Sequence, residues 1–191
     1  MNALGPERGF SCAAVILAAG FARRFGSDKR QWPMPDGRTL LESTLARYNN
    51  GFESVFLVLR PEDNDWAQGL FGCTKVFAAE AHLGMGHSLA AGITAAKGFD
   101  GAFVALGDMP WVEASTLGTL RQGLSDRNAI VRPFHNGNPG HPVGFGQAHF
   151  EALMNLSGDQ GAKVVLDQNR QRIIAIDVVD AGVIRDLDVP P

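Results

Sequence analysis

The chain has 191 residues, 45% hydrophobic and 19% charged, a balance that supports one sizeable buried core and excludes intrinsic disorder. A net charge of -3 argues against nucleic acid or a membrane as a partner, so any anion site must come from a local basic cluster. Cys12 and Cys73 fit no disulfide or metal spacing, and neither a hydrophobic signal core nor a membrane-length apolar run is present, which together point to a reduced, cytoplasmic setting.

One domain is expected over residues 1–191, with 1–11 as a flexible N-terminal extension. The apolar run from Ala13 to Ala18, closed by Gly20, reads as a central strand of a parallel sheet. After a glycine-containing loop, Pro33, Pro35 and Asp36-Gly37 break the chain. Leu40, Leu41, Thr44, Leu45 and Tyr48 then share one helical face over 39–48. Strands follow at 54–59, stopped by Arg60-Pro61, and at 74–78. Gly84 to Ser88 opens a helix that Gly98 ends. Residues 101–106 (GAFVAL) form a further buried strand that runs into Gly107-Asp108-Met109-Pro110. A helix over 115–124, short strands at 130–131 and 142–145, helices over 147–156 and 162–169, and a strand over 173–178 complete the chain. Strands alternating with helices predict an α/β fold, a three-layer α/β/α domain with a mostly parallel sheet. Such sheets bind ligands at the carboxyl ends of their strands, where Gly20 and Asp108 both fall.

The segment LAAGFARRFGSDK, residues 17–29, follows the first strand directly. It matches neither common phosphate motif. Five residues rather than four separate Gly20 from Gly26, and Lys29 stands two positions beyond the place of a P-loop lysine. Phe21 and Ala22 also exclude the dinucleotide fingerprint. Yet Gly20 frees backbone N–H groups, and Arg23, Arg24, Lys29 and Arg30 gather four cations in a net-negative protein. A triphosphate cradle and a solvated basic turn are the two readings of this loop. Asp108 likewise reads as a hard oxygen ligand for Mg²⁺ or as a turn residue before proline. In an extended tail, alternation puts Asp186 and Asp188 on one face.

L-A-A-G-x-x-x-R-x-G-x-x-K resembles the signature of nucleotidyltransferases that activate sugars, terpenoid alcohols and molybdenum cofactor. Together with GMGHSLAAG (84–92), LGDMP (106–110), GHPVGF (140–145), LSGDQGAK (156–163) and GVIRDLDVP (182–190), the chain resembles the molybdenum cofactor cytidylyltransferases and their MobA-like relatives, from Ala13 to its end. That resemblance implies a Rossmann-like nucleotidyltransferase fold. It implies catalytic roles for Arg24, Lys29 and Asp108, with Mg²⁺ on Asp108 and on Asp188, for which a frayed tail is the competing reading. It also implies nucleotide binding by Leu17, Ala18, Ala19, Gly20, Arg24, Gly26, Lys29, Gly86 and Ser88, while Arg23 is open to solvent. His141 and Asp159 fall on the acceptor side, where Asp159 is equally readable as a helix cap. Ala18-Ala19-Gly20 resembles the cytidylyl branch, since guanylyl relatives more often read L-A-G-G. CTP and molybdenum cofactor are the substrates so implied, with a molybdoenzyme or its chaperone as the receiving partner. Arg30, Gln31 and Trp32 depart from the aliphatic residues usual in the family, and Val189 stands where its ending usually has threonine. Alternatives are a GTP- or ATP-using or sugar-phosphate nucleotidyltransferase, and a non-catalytic carrier of molybdenum cofactor. His82, His135 and His149 match no ligand spacing, and Trp32, Trp66 and Trp111 are expected to pack.

Overall fold

The computed structural model describes residues 9–20, 25 and 27–188. Strand β1 (Cys12–Leu17) lies between β2 (Val55–Leu59) and β4 (Gly101–Leu106), and all three run parallel. β3 (Thr74–Phe77) extends this parallel group beyond β2. On the other side, β7 (Val143–Gly146) pairs antiparallel with β4 and with β5 (Ile130–His135). A two-residue β6 (Asn138–Pro139) folds back on β5, and β8 (Ile173–Asp177) runs parallel along the length of β5. The order is β3-β2-β1-β4-β7-β5-β6, with β8 on β5.

β1 shows why this sheet is central. Ala14, Ile16 and Ala18 join one apolar cluster while Ala13, Val15 and Ala19 join the other, so both faces of the strand are buried. The first cluster is closed by α1 (Leu40–Gly51) and α4 (Ala114–Gly123), through Leu41, Leu45, Tyr48, Leu117 and Leu120. The second is closed by α3 (Met85–Ala95), α5 (Phe150–Met154) and α6 (Lys163–Gln168). The result is the expected three-layer α/β/α sandwich. A single turn, α2 (Asn64–Ala67), sits after β2. Among the described residues no helix is long and apolar enough to cross a membrane. Cys12 and Cys73 are free, and burial pushes the Cys12 thiol up to about 11, which leaves it a poor nucleophile.

Several boundaries differ from expectation for local reasons. Thr39 is the cap of α1 rather than its first residue: its hydroxyl accepts from the Glu42 amide at 3.3 Å while the Glu42 carboxylate accepts from the Thr39 amide at 2.7 Å. The strand expected at 130–131 continues to His135, because β8 supplies a partner for it as far as Phe134. Pro133 is tolerated there, and its carbonyl accepts from Gly140 at 2.8 Å. The helix expected over 147–156 is a 3-10 turn followed by the five-residue α5. At the amino end, Phe10 packs against the first cluster and Ser11 is bonded to the Asp100 carboxylate at 2.9 Å, while residues 1–8 of the expected extension lie outside the described residues.

Gly92 marks the tightest contact of helix and sheet. A Cβ there would stand 2.5 Å from a Val15 methyl and 2.8 Å from one of Val58, on two stiff β-branched side chains of adjacent strands. Gly92→Val is expected to cost about 3 kcal/mol through overpacking, read as a lower urea midpoint with unchanged m-value.

Candidate active site

The carboxyl edge of the parallel strands carries a cavity of about 490 Å³. Its floor is the end of β1 and the start of the next loop, Leu17 to Gly20, beside Leu106, Gly107 and Asp108 at the end of β4. Its far wall is the 3-10 turn Ala81–Leu83 with Gly84, Met85 and Ser88 at the beginning of α3. Lys29 and Arg30 close the near side. The volume suits a mononucleotide-sized ligand.

Arg24 and Gly26 lie outside the described residues, as does Arg23. Lys29 does reach the site. Its ammonium donates to Asp108 Oδ2 at 2.6 Å and to the Leu187 carbonyl at 3.4 Å, and stands 3.5 Å from Asp188 Oδ1. Partial burial alone would lower its pKa, but Asp108 and then Asp188 outweigh that and hold it above the usual lysine range.

Arg30 behaves differently from its neighbours in the basic cluster. It is only 5% exposed, and its guanidinium is spent on Asp63 (2.5 and 2.8 Å), Asp28 (2.6 and 2.8 Å) and the Ala18 carbonyl (2.8 Å). It also lies over the Trp66 ring at 4.9 Å. The expected contribution of Arg30 to the anion-facing charge is therefore corrected: it is an internal tie that pins the end of β1 to the turn after β2. This accounts for its departure from the aliphatic residue usual at that position, since Asp28 and Asp63 are present to neutralise it.

The tail reaches the site because it is anchored at several points. Asp180, buried, accepts from the Glu113 and Gly182 amides at 2.8 and 2.7 Å. Gly182 lies against the Trp111 backbone so closely that a Cβ would come within 2.3 Å of its carbonyl. Arg185 covers the Trp111 ring at 3.9 Å, and the Leu187 amide donates to the Asp108 carbonyl at 3.0 Å. Ligand atoms of Asp108, Asp186 and Asp188 consequently lie within 4.8 Å of one another. Asp108 Oδ1 is buried with no hydrogen-bond partner. An enclosed, unpartnered carboxylate oxygen beside two further carboxylates fits a hard divalent cation, and these three residues would hold it. Asp186 thus joins the expected pair, on the face that alternation indicated.

Two expected nucleotide contacts divide. Ser88 is buried on the cavity wall. Gly86 is not on that wall: its amide donates to the Gly158 carbonyl at 2.8 Å, and a Cβ would stand 2.8 Å from Ser157. Its glycine is required by the packing of the 156–161 loop, and its N–H is already committed. Gly84, at φ 127°, meets the same loop. Asp159 is exposed and lines the cavity, as Ser88 does, and Ala162 rather than Asp159 caps α6. His141 is held by its amide to the Val183 carbonyl at 2.8 Å, and its Nδ1 is buried without a partner. Burial first, and then the charge of Arg132, lower the pKa of its imidazole, opposed by the Val104 carbonyl, Asp108 and Asp186. His82, expected to be ordinary, lines the cavity, whereas His149 packs with Nε2 bonded to the Asn128 carbonyl at 2.9 Å. Arg132 and the Ala81–Leu83 wall carry no motif that sequence alone would single out.

The model of the MobA-like NTP transferase domain matches residues 14–173. The chain belongs to that family. It is accordingly an enzyme of the nucleotidyltransferase class. Over 144 residues it is 35% identical to the bifunctional protein GlmU of Rhizobium johnstonii, covering 72% of this chain and 31% of that protein. The chain thus spans about a third of the length of the curated relatives it matches. A homologue of Mycobacterium tuberculosis Rv0371c from Mycobacterium sp. strain JC1 is 30% identical at a TM-score of 0.78, over 87% of this chain and 85% of that one. Rv0371c of M. tuberculosis H37Rv in complex with manganese shares the fold at 24% identity and a TM-score of 0.70, over 90% and 92% of the two chains. Nucleotidyltransferases of this family usually use a divalent metal.

Mn²⁺ titrated into this nucleotidyltransferase and followed by water-proton relaxation is expected to bind at the carboxylate triad. Asp186→Asn should weaken that binding at least about tenfold, and Lys29→Met should tighten it by removing the competing ammonium. A separate effect concerns stability. Burial would raise the Asp63 pKa, but Arg30 and Arg60 prevail and hold it well below the usual range. Its contribution is therefore complete above the unfolded value of about 3.9 and is lost as pH falls towards the folded one. Asp63→Asn, which leaves Arg30 partly unpaired in the interior, should cost about 3 kcal/mol at pH 7 and show a shallower loss below pH ~4, read by urea unfolding across pH.

Proposed function

We propose that the enzyme transfers CMP from CTP to the terminal phosphate of molybdenum cofactor and releases pyrophosphate. The observation that carries this reading is the unpartnered Asp108 Oδ1, set with Lys29 at the mouth of a nucleotide-sized cavity at the sheet edge. An acceptor phosphate oxygen attacks the α-phosphorus of the triphosphate. The new P–O bond forms as the bond to the β-phosphate oxygen breaks, and pyrophosphate leaves with that electron pair. A phosphate monoester is largely ionised at neutral pH, its second pKa being near ~6, so no general base is required. Catalysis is then alignment and charge neutralisation.

Each residue has a part in that scheme. Ala18, Ala19 and Gly20 form the floor under the nucleoside, and Ala19 is only 1% exposed. A methyl-sized constraint discriminates by about 1–3 kcal/mol, which supports cytosine over a purine. Lys29 neutralises the triphosphate, and we assign Arg24 and Gly26 of the adjoining loop to the same phosphates. Ser88 faces the nucleotide from α3. A divalent cation held by Asp108, Asp186 and Asp188 would supply charge neutralisation for the phosphates. Mg²⁺ is the cation proposed, and a molybdoenzyme or its chaperone would take the product. His141, tied through its amide to Val183, is assigned to the acceptor side. The loop signature is shared with sugar-activating nucleotidyltransferases, so a sugar-phosphate acceptor is the second reading.

Pyrophosphate release measured with CTP, GTP, ATP or UTP against molybdenum cofactor or hexose 1-phosphates separates these readings. Turnover with CTP and molybdenum cofactor is expected, and turnover only with a sugar phosphate would replace that acceptor. Asp108→Asn should lower kcat by at least about 10²-fold while leaving the melting temperature within a few degrees of wild type.

A further inference from the structure

We propose that Arg132 is an anion-binding residue of the acceptor side, taking a phosphate of the second substrate; this rests on the nucleotidyl-transfer reading above and not on which acceptor is used. Arg132 lies on β5, between residues whose side chains are committed to the core. Ile130 belongs to the cluster of the α3 face and Val131 to the other, so alternation returns Arg132 to the α3 face. β5 and β4 are both antiparallel to β7 and so run the same way, which carries Arg132 towards the edge where β4 ends at Asp108. The register continues Val131↔Gly144 to place Arg132 opposite Val143, which itself pairs with Val104. Arg132 therefore stands level with Val104, two strands away, or roughly 10 Å at the usual spacing.

A half-buried guanidinium favours an anion, and none of the described residues supplies one. Arg132 Nε is buried with no hydrogen-bond partner, and among the described residues no carboxylate forms an ion pair with it. This contrasts with Arg30, Arg60 and Arg127, each paired with aspartate. An arginine stays charged at any working pH, so leaving it half-buried and unpaired is unfavourable unless a ligand completes it. His141 Nδ1 is the second buried atom without a partner in the same neighbourhood. The charges of Arg132, Asp108 and Asp186 all act on this imidazole. A planar fork without a partner among the described residues matches a phosphate monoester, whose oxygens suit a bidentate arginine. A phosphate held there would present an oxygen towards the Asp108 side of the cavity, where the α-phosphorus is expected.

The test uses inorganic phosphate as the probe, with the nucleotide cavity first saturated by the non-reactive analogue α,β-methylene-CTP. Wild-type enzyme should show a rise in melting temperature with phosphate. Arg132→Met should weaken phosphate binding at least about tenfold, the loss expected for one charge-assisted contact, and Arg132→Lys should restore part of it. Without phosphate, Arg132→Met should melt at or above the wild-type temperature, because an unpaired charge has been removed. A drop in that unliganded temperature, or phosphate binding unchanged from wild type, would overturn the proposal and make Arg132 a structural residue. In turnover, Arg132→Met should raise KM for the acceptor about tenfold or more and leave KM for CTP unchanged. Phosphate binding that depends on Arg132 while molybdenum cofactor is not a substrate would reject the acceptor assignment alone.

Discussion

The active site depends on one constraint, the strapping of residues 180–188 across the carboxyl edge of the sheet. Nothing in the tail is a regular element beyond a single 3-10 turn, yet its course is over-determined. Asp180 ties it to the start of α4, Gly182 lets it lie against Trp111, and the Leu187 amide closes on the Asp108 carbonyl. His141 is tied to the same strap through Val183. Loss of these anchors would separate Asp186 and Asp188 from Asp108 and break up the three-carboxylate cluster. The strap therefore couples the end of β4, the GHP turn and the tail into one unit.

A second constraint works from the opposite side. Arg30 gathers Asp28, Asp63, the Ala18 carbonyl and the Trp66 ring into one buried charge cluster. Burying that many charges stabilises little in net terms, but it sets position. Arg30 fixes the backbone at Ala18, and its neighbour Lys29 is thereby aimed at Asp108. The two adjacent basic residues have opposite fates for a simple reason: one has two carboxylates and an aromatic face beside it, the other opens on the cavity. Lys29 in turn neutralises part of the carboxylate cluster, so like charges can converge at the sheet edge.

The glycines of the GMGHS segment illustrate how a motif is built for packing as well as for ligand. Gly84 and Gly86 permit the 156–161 loop to approach the start of α3 within van der Waals distance. That contact brings Asp159 and Ser88 onto one cavity wall. The motif contributes to the site chiefly through the loop it admits, and the amide of Gly86 is consumed in doing so.

The alternating apolar runs and glycine breaks determine the layers by themselves, because a strand buried on both faces has no polar positions and announces itself locally. Asp108 at the end of β4 and the paired aspartates of the tail are legible for the same reason: each follows an apolar segment or a simple alternation. What the linear order could not decide is which charges meet. Arg30 and Arg132 look alike in a list of basic residues, but one is fully paired inside the protein and the other has no partner among the described residues. Asp159 and His141 are both expected on the acceptor side; in the fold Asp159 lines the cavity with Ser88, and the His141 amide is bonded to Val183 of the strap. These outcomes rest on contacts between residues tens of positions apart, where electrostatic pairing and burial depend on distance in space and have no local signature.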